Sequence, residues 1–274
     1  MQEQTIPFAE LQQLLAKENV PTYLWPSETR PVDAFKAAVR ELEGSEFLVL
    51  PETVEDPTTH QRKTDSRTLL VVGTAHDPGT PDELPVRMKV HFDPKWESVS
   101  FTGGSATMAR TVSDAYDLFK TSYRAADIRN TIHNAIRASR AIVLKKSGGV
   151  YFVPRQNIAP LESLARVIEQ LPGAEMVALP VIDREEERKT VLKRYEAATS
   201  GRIAEMMLMV NDLATSGDPI VPSVFKRFVD ELDYLRTQKA EYEALLNTTM
   251  SKADIEMRVL EAGIQTLSGL VRSK

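Results

Sequence analysis

The stretch FKRFVDELDYLRTQKAEYEALL, residues 225–246, sets Phe225, Phe228, Leu232, Leu235, Lys239, Tyr242 and Leu246 at alternating spacings of three and four. That period is the seam of a helix packed on other helices, with Lys239 as its one polar interruption. Met257, Leu260, Ile264, Leu267 and Val271 continue the rhythm further on, and Ile203, Met206, Val210 and Leu213 follow it more loosely upstream. Gly217–Asp218–Pro219 and the polar residues 247–251 break the run, so three helices are predicted between 183 and 274. Two packings fit such seams. One is an intramolecular three-helix bundle; the other is a coiled-coil arm in which Phe225, Phe228, Leu232, Leu235, Tyr242 and Leu246 join copies into a homo-oligomer.

Upstream the period changes. Residues 5–17 and 31–43 read as helices, and residues 46–50, 68–72, 86–92 and 98–102 as β-rich runs separated by Pro, Gly and Asp. These predict an antiparallel meander with helices on one face, and a polar loop over 56–65. Gly103–Gly104 closes the sheet. Helices near 106–121 and 125–140, a hairpin of 141–145 with 149–153, a helix near 160–171 and a strand near 175–181 follow. The expected fold class is α+β: an antiparallel sheet with packed helices over 1–182, then an all-helical region with heptad-like seams over 183–274.

The 274 residues contain no cysteine, which excludes disulfides, thiol nucleophiles and cysteine-held metals. No run of about 18 apolar residues suggests a membrane span. The N-terminal MQEQTIPFAELQQLL lacks the basic-then-apolar order of a signal peptide, so a cytoplasmic location is expected.

The net charge of −5 is unevenly spread. Residues 1–103 carry a net −7, whereas residues 104–155 hold nine Lys/Arg against three Asp/Glu. Within this basic island Arg129, His133, Arg137 and Arg140 share one helical face, beside a stripe of Ile128, Ile132 and Ile136 expected to anchor the helix. Arg124 stands at the helix entry, and Lys145, Lys146 and Arg155 surround a Gly-rich hairpin that presents Tyr151 and Phe152. Cations neutralise phosphates, and a ring gives an unpaired base a stacking platform. The alternative is that these arginines are solvated or paired with the acidic N-terminal region.

The runs SRAIVLKKSGGVYFVP (139–154) and ALPVIDREEERKTV (178–191) resemble a family of uncharacterised proteins of phages, plasmids and other mobile elements. That resemblance implies a mobile-element context and no particular activity.

Catalytic signals are sparse. His91 with Asp93 could share a strand face, but Asp93 precedes Pro94 and reads as a turn carboxylate. Asp82 with Asp93 and Lys95 faintly echoes a metal-dependent nuclease, an arrangement that Pro94 spoils. Gly103–Gly104–Ser105 lacks the lysine of a nucleotide loop. No cofactor and no metal are expected. The leading expectation is a non-enzymatic, self-associating nucleic-acid-interacting accessory protein using Arg124, Arg129, Arg137, Arg140, Lys145, Lys146, Tyr151 and Arg155. A structural adaptor that oligomerises or grips a protein through its C-terminal helices is the second reading, and a divergent nuclease the third.

Overall fold

In the computed structural model, residues 5–55, 62–74, 84–145, 149–216 and 218–271 are described. The chain divides into two compact units, Met1–Ile132 and His133–Lys274.

The first unit holds the meander. Strands β2 (Phe47–Glu55), β3 (Arg62–Gly73), β4 (Val86–Asp93) and β5 (Ser98–Gly103) pair antiparallel in that order, as the strand patterns predict. Helices α2 (Pro31–Arg40) and α3 (Ala106–Phe119) share a core with the sheet. Phe35, Val39, Val112, Tyr116 and Phe119 from the helices are buried with Val71, Met88, Val90 and Phe92 from the strands. The alternation of buried and exposed positions along β4 is that of a sheet with one covered face. Gly103 and Gly104 both take positive φ, and Ser105 then caps α3 by accepting from the Met108 N–H at 3.2 Å.

Two expectations change here. Residues 5–7 form a strand, β1 (Thr5–Pro7), ahead of helix α1 (Phe8–Lys17), and pair with β6 (Ser122–Arg124). Both strands have three residues, too short for a period to show. Residues 62–65 extend β3 instead of belonging to the polar loop, because they pair with Glu52–Glu55 beyond a register shift. The rest of that loop, residues 56–61, lies outside the described residues.

Helix α4 (Ala125–Ala138) carries the division between the units. Its fully buried line is Thr131 and Ala135, continued by Ser139, while Ile128, Ile132 and Ile136 are only half-buried beside it. The expected isoleucine anchor is therefore a half-buried flank beside a line of smaller, buried side chains.

The second unit contains the hairpin β7 (Ile142–Lys145) and β8 (Val150–Phe152), helix α5 (Ala159–Ile168), and the long helices α6 (Glu185–Ser216), α7 (Pro222–Leu246) and α8 (Ser251–Leu267). Ile142, Leu144 and Phe152 join the core that α6, α7 and α8 make, so the hairpin clusters with the C-terminal helices. The division accordingly falls earlier than residue 182. Asn247, in the left-handed region, ends α7.

The seam of α7 is used within the chain. Phe228, Leu232, Leu235 and Tyr242 are buried in this unit's core, with Phe225 and Leu246 packed against it. For Phe228, Leu232, Leu235 and Tyr242 the expected role between copies is corrected accordingly, since a side chain buried against its own chain has no surface left for another, and Phe225 and Leu246 give part of theirs to the same core. Lys239, the polar interruption, bonds Glu243 and Asp254, each at 2.9 Å. A second correction concerns residues 174–184, which form no strand. A strand needs a ladder partner, the described residues offer none, and Pro180 lacks an N–H to donate. Val177, Leu179, Val181 and Ile182 stand exposed.

Candidate functional site

The basic residues separate into neutralised and free ones. In the first unit, Asp127 accepts the Arg124 backbone N–H at 2.8 Å and lies 3.8 Å from its guanidinium. The same guanidinium sits 5.5 Å from the centre of the Phe119 ring, with its Nε buried and unbonded. Arg124 thus belongs to the start of α4. Arg129 is exposed and makes no ion pair among the described residues.

In the second unit, Arg137 and Arg140 are held by α7. The Arg137 guanidinium bonds Glu231 and lies 4.8 Å over the Tyr234 ring, and Tyr234 Oη donates to the Arg137 carbonyl at 3.1 Å. Glu231 also accepts from Arg202 Nε at 3.1 Å. Burial works to raise the Glu231 carboxyl, but the two arginines outweigh it and hold the group below the usual carboxylate range. Arg140 adopts positive φ, and its side chain bonds Glu241, which also accepts from Asn157 at 2.9 Å. The Arg140 carbonyl accepts from Gln238 and from Tyr242 Oη, each at 3.1 Å. Burial pushes the Tyr242 hydroxyl up, so it remains a donor. These arginines do pair within the chain, though with α7 and not with the acidic N-terminal region.

Lys145 and Arg155 are exposed and free of ion pairs among the described residues, and Tyr151 is half-exposed on β8 opposite Val143. Phe152 faces the other way, 6.1 Å from Tyr242. Lys146 and the Ser147–Gly148 turn lie outside the described residues. Of the eight proposed contact residues, Arg124, Arg137 and Arg140 are engaged internally, leaving a sparse cationic surface at Lys145 and Arg155 in this unit.

Glu231, Glu241 and Gln238 on α7 were not anticipated. Glu231 and Gln238 are buried polar residues one heptad apart on the flank of the seam, and that spacing was the available signal.

The catalytic candidates resolve into structural roles. Asp93 Oδ1 accepts from the backbone N–H of Lys95 at 2.8 Å and of Trp96 at 3.3 Å, capping the β4–β5 turn. Lys95 Nζ lies 4.9 Å over the Trp96 ring. The nuclease arrangement loses both groups to the turn, and Asp82 lies outside the described residues. His91 Nδ1 and Thr68 Oγ1 are 2.9 Å apart, while Thr68 donates to Asp65 at 2.6 Å. Among the described residues no three His, Asp or Glu side chains converge as a metal would need. A shallow cleft of about 270 Å³ is lined by Arg236, Lys239, Asp254 and Arg258. Arg236 there already bonds Glu261 at 2.7 Å, so part of its cationic charge is met from within. No helix among the described residues is long and apolar enough to cross a membrane.

Fold and site together define an α+β protein with an all-helical C-terminal region, whose central arginines brace that region from inside. The chain belongs to a family of unknown function, DUF6744, whose model matches residues 1–272. No curated protein and no solved structure matches it.

Proposed function

We propose that this chain is a non-enzymatic adaptor that works through protein contacts of its C-terminal helices, in the mobile-element setting that the resemblance of residues 139–154 and 178–191 implies. The observation that carries this reading is the engagement of Arg137 and Arg140 by Glu231 and Glu241. A guanidinium already bonded to a carboxylate must break that contact before it meets a phosphate, so the arginines at the heart of the basic helix serve architecture first. Exposed Leu208, Ile255 and Val259 on long helices supply the apolar surface an adaptor needs.

The competing nucleic-acid reading is supported by Arg129, Lys145 and Arg155 with Tyr151, and one assay separates the two. Labelled single- and double-stranded DNA and RNA are titrated with protein at low and moderate salt, and anisotropy is read. The adaptor reading expects no binding at low salt, where charge attraction is strongest. Salt-sensitive binding that disappears in the triple variant Arg129→Glu, Lys145→Glu, Arg155→Glu overturns it.

A further inference from the structure

The long helices carry a second set of stripes, apart from the buried seam of α7. On α6, Ala197, Gly201, Ala204 and Leu208 recur at spacings of four, three and four, and all are exposed. On α8, Ile255, Val259 and Ala262 recur at four and three, and are exposed too. The large members are well out in solvent: Leu208 at 66%, Ile255 at 63% and Val259 at 53%. A heptad spacing on an exposed face signals a helix-packing surface without its partner.

The two stripes lie on one face. Ser200 Oγ donates to Glu256 at 2.8 Å, and a Cβ on Gly263 would stand 3.1 Å from Val210 Cγ1. These contacts set α6 and α8 side by side and running in the same direction. Both helices turn their buried residues (Ile203, Met206 and Val210; Met257, Leu260 and Ile264) into the common core with α7. The exposed stripes sit on the opposite flank of the same contact line, and so face together away from α7.

That face is complementary to itself. The α6 stripe begins with Ala, Gly and Ala, which form a groove, and the α8 stripe begins with Ile and Val, which form a ridge. The Ser200–Glu256 contact puts Ile255 level with residues 197–201 and Val259 level with residues 201–204, and the Gly263–Val210 approach puts Ala262 level with residues 208–210, at about 1.5 Å per residue. A two-fold axis running along the helices lays the ridge of each copy into the groove of the other, with small Ala262 against large Leu208. The same operation brings Arg258, exposed and free of ion pairs among the described residues, beside Glu205 on the outer edge of the partner's α6, where Glu205 is also met by Arg202 of its own chain at 3.3 Å. Asn211 and Thr266 then meet at the end of the stripes, a polar pair of the kind that sets register.

We infer that the α6–α8 face is the docking surface for a second copy of this chain, forming a parallel two-fold dimer with a four-helix seam. The inference rests on the adaptor reading and names its first partner. The two fail separately, since nucleic-acid binding decides the reading and sedimentation decides the partner.

The test is sedimentation of the full chain at micromolar concentration. Wild type is expected at twice the 30.6 kDa chain mass. Val259→Glu is expected to raise the dissociation constant by at least about a hundredfold, because it places an unpaired carboxylate in the seam of each copy, with unchanged far-UV circular dichroism. Arg258→Glu weakens the dimer through repulsion with Glu205, and adding Glu205→Arg restores it. A wild-type chain that sediments singly overturns the inference, as does an assembly that Val259→Glu leaves intact. A dimer dissolved by Val259→Glu but not restored by the charge exchange overturns the two-fold arrangement.

Discussion

Replacing Glu231 with Gln keeps the shape of a side chain that is 11% exposed and removes the charge on which two guanidinium groups converge. Arg137 and Arg202 each bond it, and they leave 52% and 42% of their side chains in water. A hydrogen bond to a charged group contributes about 1.5–3 kcal/mol, and solvent screening of these half-exposed partners brings each contact to about 1 kcal/mol. The expected loss is therefore about 2 kcal/mol for the pair of contacts at neutral pH. Urea unfolding followed by far-UV circular dichroism, dominated by the long helices, measures it. The pH dependence has a definite sign. Because the folded-state carboxyl is held below its ordinary range, its contribution is complete above the unfolded-state value of about 4.3 and fades as the pH falls through the lower folded value. The gap between wild type and Glu231→Gln is expected to close on acidification. A variant as stable as wild type at neutral pH, or a gap unchanged in acid, refutes the reasoning. Either result would make Arg137 a solvated cation and return it to the phosphate-contact set.

Leu235→Ala removes three buried carbons at about 0.8 kcal/mol each and leaves a cavity, so a loss of about 3 kcal/mol is expected in the same unfolding assay. Its sedimentation is expected to match wild type, and a change of mass would mean that the α7 seam lies between chains. Tyr242→Phe takes a donor from the Arg140 carbonyl, which keeps Gln238, and is expected to lose about 1 kcal/mol. Tyr195→Phe is expected to cost less than Tyr242→Phe, because the Tyr195 hydroxyl, pushed up to about 12 by burial, has only the neighbouring Thr199 at hand as a hydrogen-bond partner. Equal losses in the two variants would contradict that contrast. At Gly104, φ is +78° and a Cβ would come within 2.7 Å of Met88 Sδ, so Gly104→Ala is expected to lower the thermal midpoint through a strain of about 1–3 kcal/mol.

The meander and the three long helices were legible in the sequence because each carries its own period: alternation along Val86–Asp93, and three-four spacing from Phe225 to Leu246. The β1–β6 pair was not, since three residues hold no period and their partners are more than a hundred positions apart. Residues 174–184 mislead in the opposite sense. Their apolar content reads as a strand, yet strand formation depends on a partner that local composition does not reveal. At the candidate site, residue type located the cations along the chain. Which of them are free depended on Glu231 and Glu241, supplied by a helix about a hundred residues away. The α7 seam fitted both a bundle within the chain and an arm between copies, because periodicity says that a helix packs, but not whose surface it packs on.

The segment from Val177 to Ile182 has a consequence for solubility. Several bulky apolar side chains in a water-exposed run, with Leu179 at 80% exposure, make up the composition that stacks into cross-β fibres. Pro180 interrupts that run at its centre. With no N–H there, a neighbouring chain cannot complete a hydrogen-bond ladder on that side, and strand-on-strand growth is checked after a single pairing. One imino acid thus acts as a gatekeeper that lets the protein keep an apolar ribbon in water, and Pro180→Val is expected to hasten thioflavin-positive aggregation without altering the helical spectrum of the fresh protein.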